Sequence, residues 1–481
     1  MHNPEPQAPD EHLPLAERWR RLRAAYRYAN RASHHVLGFT VKAVLLVYFV
    51  FAVLFLFLRY AILPNIDYYK GDIERAASRA LGNRVAISRI YASWQGLHPN
   101  LFLGDVSLRD RQDRQVLHLP SVSATLSWTS VLALEPRFES LEIIRPDLDV
   151  RRTRDGALFV AGVRIDQGKQ EPSTGPDWLF RQREILIRQG RVHWTDELRG
   201  APELALSDVT LALQNHWTTH RFALKATPPA ALGQPLDVRA RFTHPRFGGR
   251  VSDLTRWKGE LYADMRDTDL AAWKQYIDYP FELNQGKGSV RAWLSLDHMR
   301  LAGFTADLGL AGVSARLARD LPPLELARVS GRLSAREELA PNVADGKPTF
   351  GALGHTVSID NFSVVTRDGL SLPAATLSET WRPASRNKPE QVQVLARQVD
   401  LAALAELAAQ LPMSPLQRAM LADFAPRGQL LDFCAEWQGR YPAIASYRVR
   451  GKVANLSLKA QPARAAQPAS GATPALPERQ A

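Results

Sequence analysis

Residues 121–128 read Ser-Val-Ser-Ala-Thr-Leu-Ser-Trp, an alternation that puts Val122, Ala124, Leu126 and Trp128 on one parity and Ser121, Ser123, Thr125 and Ser127 on the other. Successive side chains of a strand point to opposite faces, so the octet predicts a half-buried strand with one apolar face and one hydroxyl face. The same period returns at Val209, Leu211 and Leu213 against Thr210, Ala212 and Gln214, and again at Val290, Ala292, Leu294 and Leu296. Turn signals recur between such segments, at Asp155-Gly156, Gly248-Gly249, Asp345-Gly346 and Asp368-Gly369. Together they predict a long antiparallel meander. The Pro-rich and polar stretches 168–177 and 382–391 read as loops or weak boundaries. Alternation alone fits both a sandwich core and a curled sheet whose apolar face lines an open lane.

Upstream the period is different. Residues 43–58 read AVLLVYFVFAVLFLFL, with no charge, and extend to 39–41 and 60–63 around Lys42 and Arg59. A spanning helix needs about 20 mostly apolar residues, and the stems of the two flanking cations can carry their charge to an interface. One membrane span over 36–63 is therefore expected. The run is too long for a cleaved signal peptide, and no small-residue cleavage site follows it. Arg18, Arg20, Arg21, Arg23, Arg27 and Arg31 precede the span, whereas acids and bases mix after it. The positive-inside bias puts residues 1–35 in the cytoplasm and the bulk across the membrane, which is the periplasm if the source is a Gram-negative bacterium. After the span, Tyr69, Ile73, Ala76, Ala77, Ala80 and Leu81 recur at helical spacing, with Gly82-Asn83 as a stop.

The chain has 481 residues, 45% hydrophobic and 23% charged, with room for two or three domains. Its net charge of +12 is spread along the chain without a base-reading motif, which argues against nucleic acid and suits a surface near anionic lipid. Arg151, Arg152 and Arg154 form the densest cluster and are expected as a solvated strand end. The lone Cys434 rules out an intrachain disulfide framework.

Catalytic signatures are lacking in the sequence. Gln285-Gly286-Lys287-Gly288-Ser289 separates its Lys from its Ser and leads into a strand, so it makes no phosphate loop. The twelve histidines have no metal-ligand spacing, and His34-His35 stands beside the span. Asp264, Asp267 and Asp269 lack the glutamate a calcium loop needs and read as a strand-to-helix junction, with Asp267 or Asp269 as cap. The expectation is a protein that is not an enzyme, with no catalytic residue, metal or cofactor.

A repeat is visible in the second half. Thr268-Asp269-Leu270-Ala271-Ala272-Trp273 matches Val399-Asp400-Leu401-Ala402-Ala403-Leu404, and each copy proceeds to a glycine before a strand, Gly288 and Gly428. Stacked units of helix and strands predict a solenoid-like sheet. Residues 459–481, rich in Ala and Pro, are expected to be disordered.

The most specific stretch is Tyr91-Ala92-Ser93-Trp94-Gln95-Gly96-Leu97-His98-Pro99 followed by Leu101-Phe102-Leu103-Gly104-Asp105-Val106-Ser107-Leu108, with Leu141 to Leu148 and the Asp155-Gly156 turn beyond it. With the single span and short helix before it, this order resembles the YhdP branch of the AsmA-like proteins, relatives of AsmA and TamB among the bridge-like lipid transfer proteins. The resemblance implies an inner-membrane anchor and a mainly β periplasmic region, an elongated, bent antiparallel groove with short helices. It divides the chain into 64–166, an N-terminal β region with its short helix, and 178–458, the repetitive groove. It also implies movement of phospholipid between inner and outer membranes in support of the permeability barrier. Partners are then phospholipids, the inner membrane and other envelope proteins of either membrane. Related proteins imply an alternative, a scaffold or chaperone-like factor for outer-membrane protein assembly. Family members run far longer, so this chain is expected to be an N-terminal portion or a short member.

Burying a methylene is worth about 0.8 kcal/mol, so a lipid with two chains of about sixteen carbons faces roughly 25 kcal/mol in water. An apolar lane removes most of that barrier. The residues expected to line it are Val122, Ala124, Leu126, Trp128, Leu211, Leu213, Leu294 and Leu296.

Overall fold

The computed structural model describes residues 15–81, 83–109, 115–130, 135–164, 174–247, 249–279, 281–298, 300–337, 353–385, 388–411, 413, 415–439 and 444–460, with side chains from 36 onward except at 80–81, 116, 163–164, 174–176 and 415–417. The Asp345-Gly346 turn, Gly248 and the tail from 461 lie outside the described residues. The chain divides into two compact units, Met1–Tyr69 and Lys70–Ala481.

The first unit is a helix, α1 (Leu15–Phe57), continued by one wide turn over Leu58–Ile62 and a tight one over Leu63–Tyr69. Its apolar side chains point outward all round, as with Leu46 at 64% and Phe49 at 65% exposure. A helix apolar on every side finds its favourable solvent in lipid. This one is long and apolar enough to cross a membrane.

The second unit is mainly β, one 20-stranded sheet. It opens with helix α2 (Lys70–Leu81), then β1 (Arg84–Gln95), β2 (His98–Arg109), β3 (Gln115–Leu126), β4 (Phe138–Ile144), β5 (Asp147–Arg152), β6 (Leu158–Val160) and β7 (Val163–Arg164). Helix α3 (Thr174–Arg181) leads to β8 (Glu184–Asp196), β9 (Leu204–His216), β10 (Thr219–Thr227), β11 (Leu236–Thr243) and β12 (Lys258–Asp269). After α4 (Leu270–Trp273) come β13 (Glu282–Asp297), β14 (Arg300–Arg316), β15 (Leu324–Glu337), β16 (His355–Thr366), β17 (Ser371–Arg382) and β18 (Gln391–Asp400). Helices α5 (Leu401–Leu407) and α6 (Pro415–Phe424) precede β19 (Arg427–Gln438) and β20 (Ser446–Ser457).

Pairing is antiparallel between chain neighbours apart from a single β3–β5 bridge, His118 to Asp147, and a parallel crossover that corrects the pure meander. β4 and β5 both run parallel to β8, and parallel strands need a crossover. That connection carries α3, so 174–177 of the stretch expected as loop are helical. β4 sits between β3 and β8, and one sheet passes through both stretches 64–166 and 178–458.

Strict period two also breaks inside the strands. Asp105, Gln189, Asp208, Asp267, Asn361, Asp432 and Asn455 adopt left-handed backbone within their strands, several of them at register shifts in the ladders. Those at register shifts are β-bulges, each inserting an extra residue on one strand and sharpening the twist. Parity resets across them: Ile187 and Gly190, three apart across Gln189, are both buried.

The repeated aspartates start helices as the sequence implies. Asp269 accepts a hydrogen bond from Ala272 N at 3.1 Å, and Asp400 from Ala403 N at 3.0 Å. Both repeats then run helix, strand, strand, the second with α6 inserted. The outer edge of β1 is covered by α2, whose Ser78 Oγ and Glu74 Oε1 accept from Val85 N at 2.9 Å and Ile87 N at 2.7 Å. Unpaired strand edges invite foreign strands, and α2 blocks this one.

Candidate functional site

Residues directly opposite on neighbouring strands share a face, so the ladders can be followed from strand to strand. Starting at Ala92 the register passes through Leu101, Ala124, Leu141, Ile185, Leu213, Phe222, Ala240 and Leu261. It continues through Leu294, Phe304, Ala335, Val357, Glu379, Val394, Ala435 and Val449. Every member but Glu379 is apolar. A second row runs alongside, from Ile90, Leu103, Val122, Ile143, Ile187, Leu211, Leu224 and Val238 to Ala263, Ala292, Ala306, Leu333, Ile359, Leu377, Ala396 and Phe433. It has no polar member at all.

Of the eight residues singled out from sequence, Ala124, Leu213 and Leu294 stand in the first row, and Val122 and Leu211 in the second. Leu126 reaches the same face beside Phe138 across a bulge, and Leu296 lies between Gly259 and Leu301. Trp128 departs from the expected stripe: it lies beyond the end of β3 in the following turn, where its indole N–H donates to Leu97 O at 3.2 Å.

Much of the face is half-buried rather than sealed: Leu261, Leu294, Phe304, Leu333 and Val357 all keep partial exposure. Its margins are closed. On one side α5 sets Ala403 and Leu407 against Leu310, Val329, Val364 and Leu372, and α4 sets Trp273 against Leu204, Val209 and Leu236. On the other, Trp257 and His220 stack at 4.4 Å with planes 6° apart, walled by Phe180 at 5.0 Å and Phe242 at 5.7 Å from Trp257. His220 is fully buried and donates from Nδ1 to Asn215 Oδ1 at 2.6 Å. Burial first, and His244 second, push its pKa down to about 4, so it is neutral at pH 7.

The opposite face is polar. Lys225, Asp237, Asp264, Arg291, Asp307, Arg332 and Asp360 face one another across successive strands. Asp307 takes Arg332 Nε at 2.6 Å and Arg291 at 3.1 Å, and the Arg332 hydrogen bond keeps its carboxyl below the usual range. The arginine cluster is less solvated than expected: Arg152 donates from Nε at 2.9 Å to Asp196, a carboxylate only 1% exposed. Burial pushes the Asp196 pKa up, but Arg152 and the Arg199 N–H outweigh it and hold it low.

Sequence reading missed the bulges and the aromatic wall. Polar residues in mid-strand, as at Gly104-Asp105 and Gln189-Gly190, were the available signal for the first. No spacing announces the second, because His220, Phe242 and Trp257 meet only through the ladder and a loop.

No curated protein and no solved structure matches this chain. A family model described as YhdP protein matches residues 29–475. With the apolar N-terminal helix and the large sheet that it spans, the chain belongs to the YhdP family.

Proposed function

We propose that this protein is anchored in the inner membrane by α1, with its sheet in the periplasm, and that the apolar face conducts phospholipid between the inner and outer membranes. The observation that carries the reading is the pair of rows, apolar throughout but for Glu379. At about 4.8 Å per strand the first row runs on the order of 75 Å, beyond the ~30 Å of a bilayer core. Acyl chains lie along it while the headgroup stays in water. Half-buried Leu, Val and Phe side chains suit this better than a sealed core, because they offer contact without a preformed plug. No chemical step is required of the protein, and the drive for net movement comes from outside it.

The test is site-specific photo-crosslinking in cells. A photoreactive residue at 294 or 292 captures phospholipid, while 293 and 295, on the opposite face, do not. Equal capture at both parities overturns the lane. Capture of unfolded outer-membrane protein at all four positions, without lipid, favours the assembly factor instead.

A further inference from the structure

The polar face carries a feature that transport along the apolar face does not use. Arg221 on β10 lies directly opposite Arg241 on β11, and like charges so placed destabilise a sheet. Elsewhere on this face such charges are answered: Arg239 forks onto Asp237 at 2.9 and 2.7 Å, and Arg332 onto Asp307. Arg221 and Arg241 have no ion pair or side-chain hydrogen bond among the described residues, and Glu260, opposite Arg241 on β12, makes no ion pair with it. Beside the two guanidiniums the sheet is hollow. In the next row Ala212 and Ala223 stand side by side before Arg239, too small to fill their positions, and the result is a depression of about 530 Å³. Its far wall is Tyr262 and Trp293, ring centroids 5.3 Å apart.

We propose that this depression is a binding site for a phosphorylated sugar-type ring. A phosphate takes the facing forks of Arg221 and Arg241, which matches the bidentate geometry of guanidinium and removes their repulsion. The ring rests over Ala212 and Ala223, bounded by Arg239, which stands between them and Tyr262. The volume falls within the range of small-ligand sites. Such a group reaches the site either free or as the headgroup of a lipid.

The test uses the full chain in a sugar-free zwitterionic detergent, followed by calorimetric titration. Glucose 1-phosphate represents the free source and dihexanoyl phosphatidylinositol the headgroup source. At least one binds ten-fold or more tighter than inorganic phosphate or glucose alone, and the stronger of the two identifies the source. Arg221→Glu supplies Arg241 with a partner, so it abolishes binding while raising the melting temperature without ligand. Arg241→Gln lowers affinity at least five-fold with the fold intact. Failure of both ligands to exceed inorganic phosphate, or equal affinity in wild type and Arg221→Glu, overturns the site. Lipid crosslinking at position 294 is unchanged by these substitutions, so the two functional readings fail independently.

Discussion

Asn361 turns through the left-handed region, φ 48°, against Gly331 on the neighbouring strand, where any Cβ would come 2.5 Å from Phe362 Cα and 2.7 Å from Asn361 O. The asparagine makes the bulge and the glycine leaves room for it. Gly331 itself sits at φ 133°, a backbone open to glycine alone. Gly331→Ala is therefore expected to cost about 2–3 kcal/mol, read as a lower urea midpoint with an unchanged slope.

The two helix caps act separately. Asp269→Ala and Asp400→Ala each remove one side-chain acceptor from a helix start, worth about 1 kcal/mol apiece. Because the caps serve different helices, α4 and α5, the double variant loses the sum to within about 0.5 kcal/mol. Chemical denaturation of the four proteins checks it.

His220 sets a pH dependence. Its folded pKa of about 4 lies below the ordinary 6.5, so between those values the unfolded chain holds a proton that the folded chain does not. Stability is full above pH 6.5 and falls as pH drops toward 4, by about 3 kcal/mol in all. His220→Gln, which keeps an amide donor for Asn215, flattens that slope in denaturation curves recorded at pH 7 and pH 4.5.

Arg152→Ala leaves a carboxylate that is 1% exposed with Arg199 alone, its Nε at 3.4 Å and its backbone N–H at 3.2 Å. Removing a lone partner from a buried pair costs about 3 kcal/mol or more; with Arg199 still in place the loss is expected below that, and Arg152→Lys recovers only part of it, since a single ammonium cannot form the fork. Thermal melts of the three proteins distinguish these outcomes.

Leu294→Asp puts an unpaired charge between Leu261 and Phe304, a desolvation cost of at least ~2 kcal/mol for anything apolar that passes. Cells dependent on this variant are expected to lose the outer-membrane barrier to detergents and large antibiotics. Ser295→Asp, on the polar face, keeps it.

The alternation at 121–126, 209–213 and 290–296 was enough to specify strands and to pick one side of them, because a period of two leaves only two faces. Which of those faces joins its neighbours was not legible until the ladders set Leu261 beside Leu294 and Leu213 beside Phe222. The capping aspartates of the repeat were legible because a cap acts within three residues. The parallel pairing of β4 and β5 with β8 was not, since it depends on a crossover and not on local pattern. Trp128 illustrates the same limit: parity continues through it, but the strand stops at Leu126.

Apart from that crossover, each strand from β9 to β20 hydrogen-bonds the strand just before it in the chain. Contacts of short sequence separation close small loops and form quickly. The sheet can thus be laid down in the order in which its residues emerge, each hairpin templated by the edge already in place. Only β4 and β5 must wait for a later segment, β8, and until it arrives their edge stands open. That interval is where a partly emerged chain is most exposed to mispairing, and the connection through α3 sets how long it lasts.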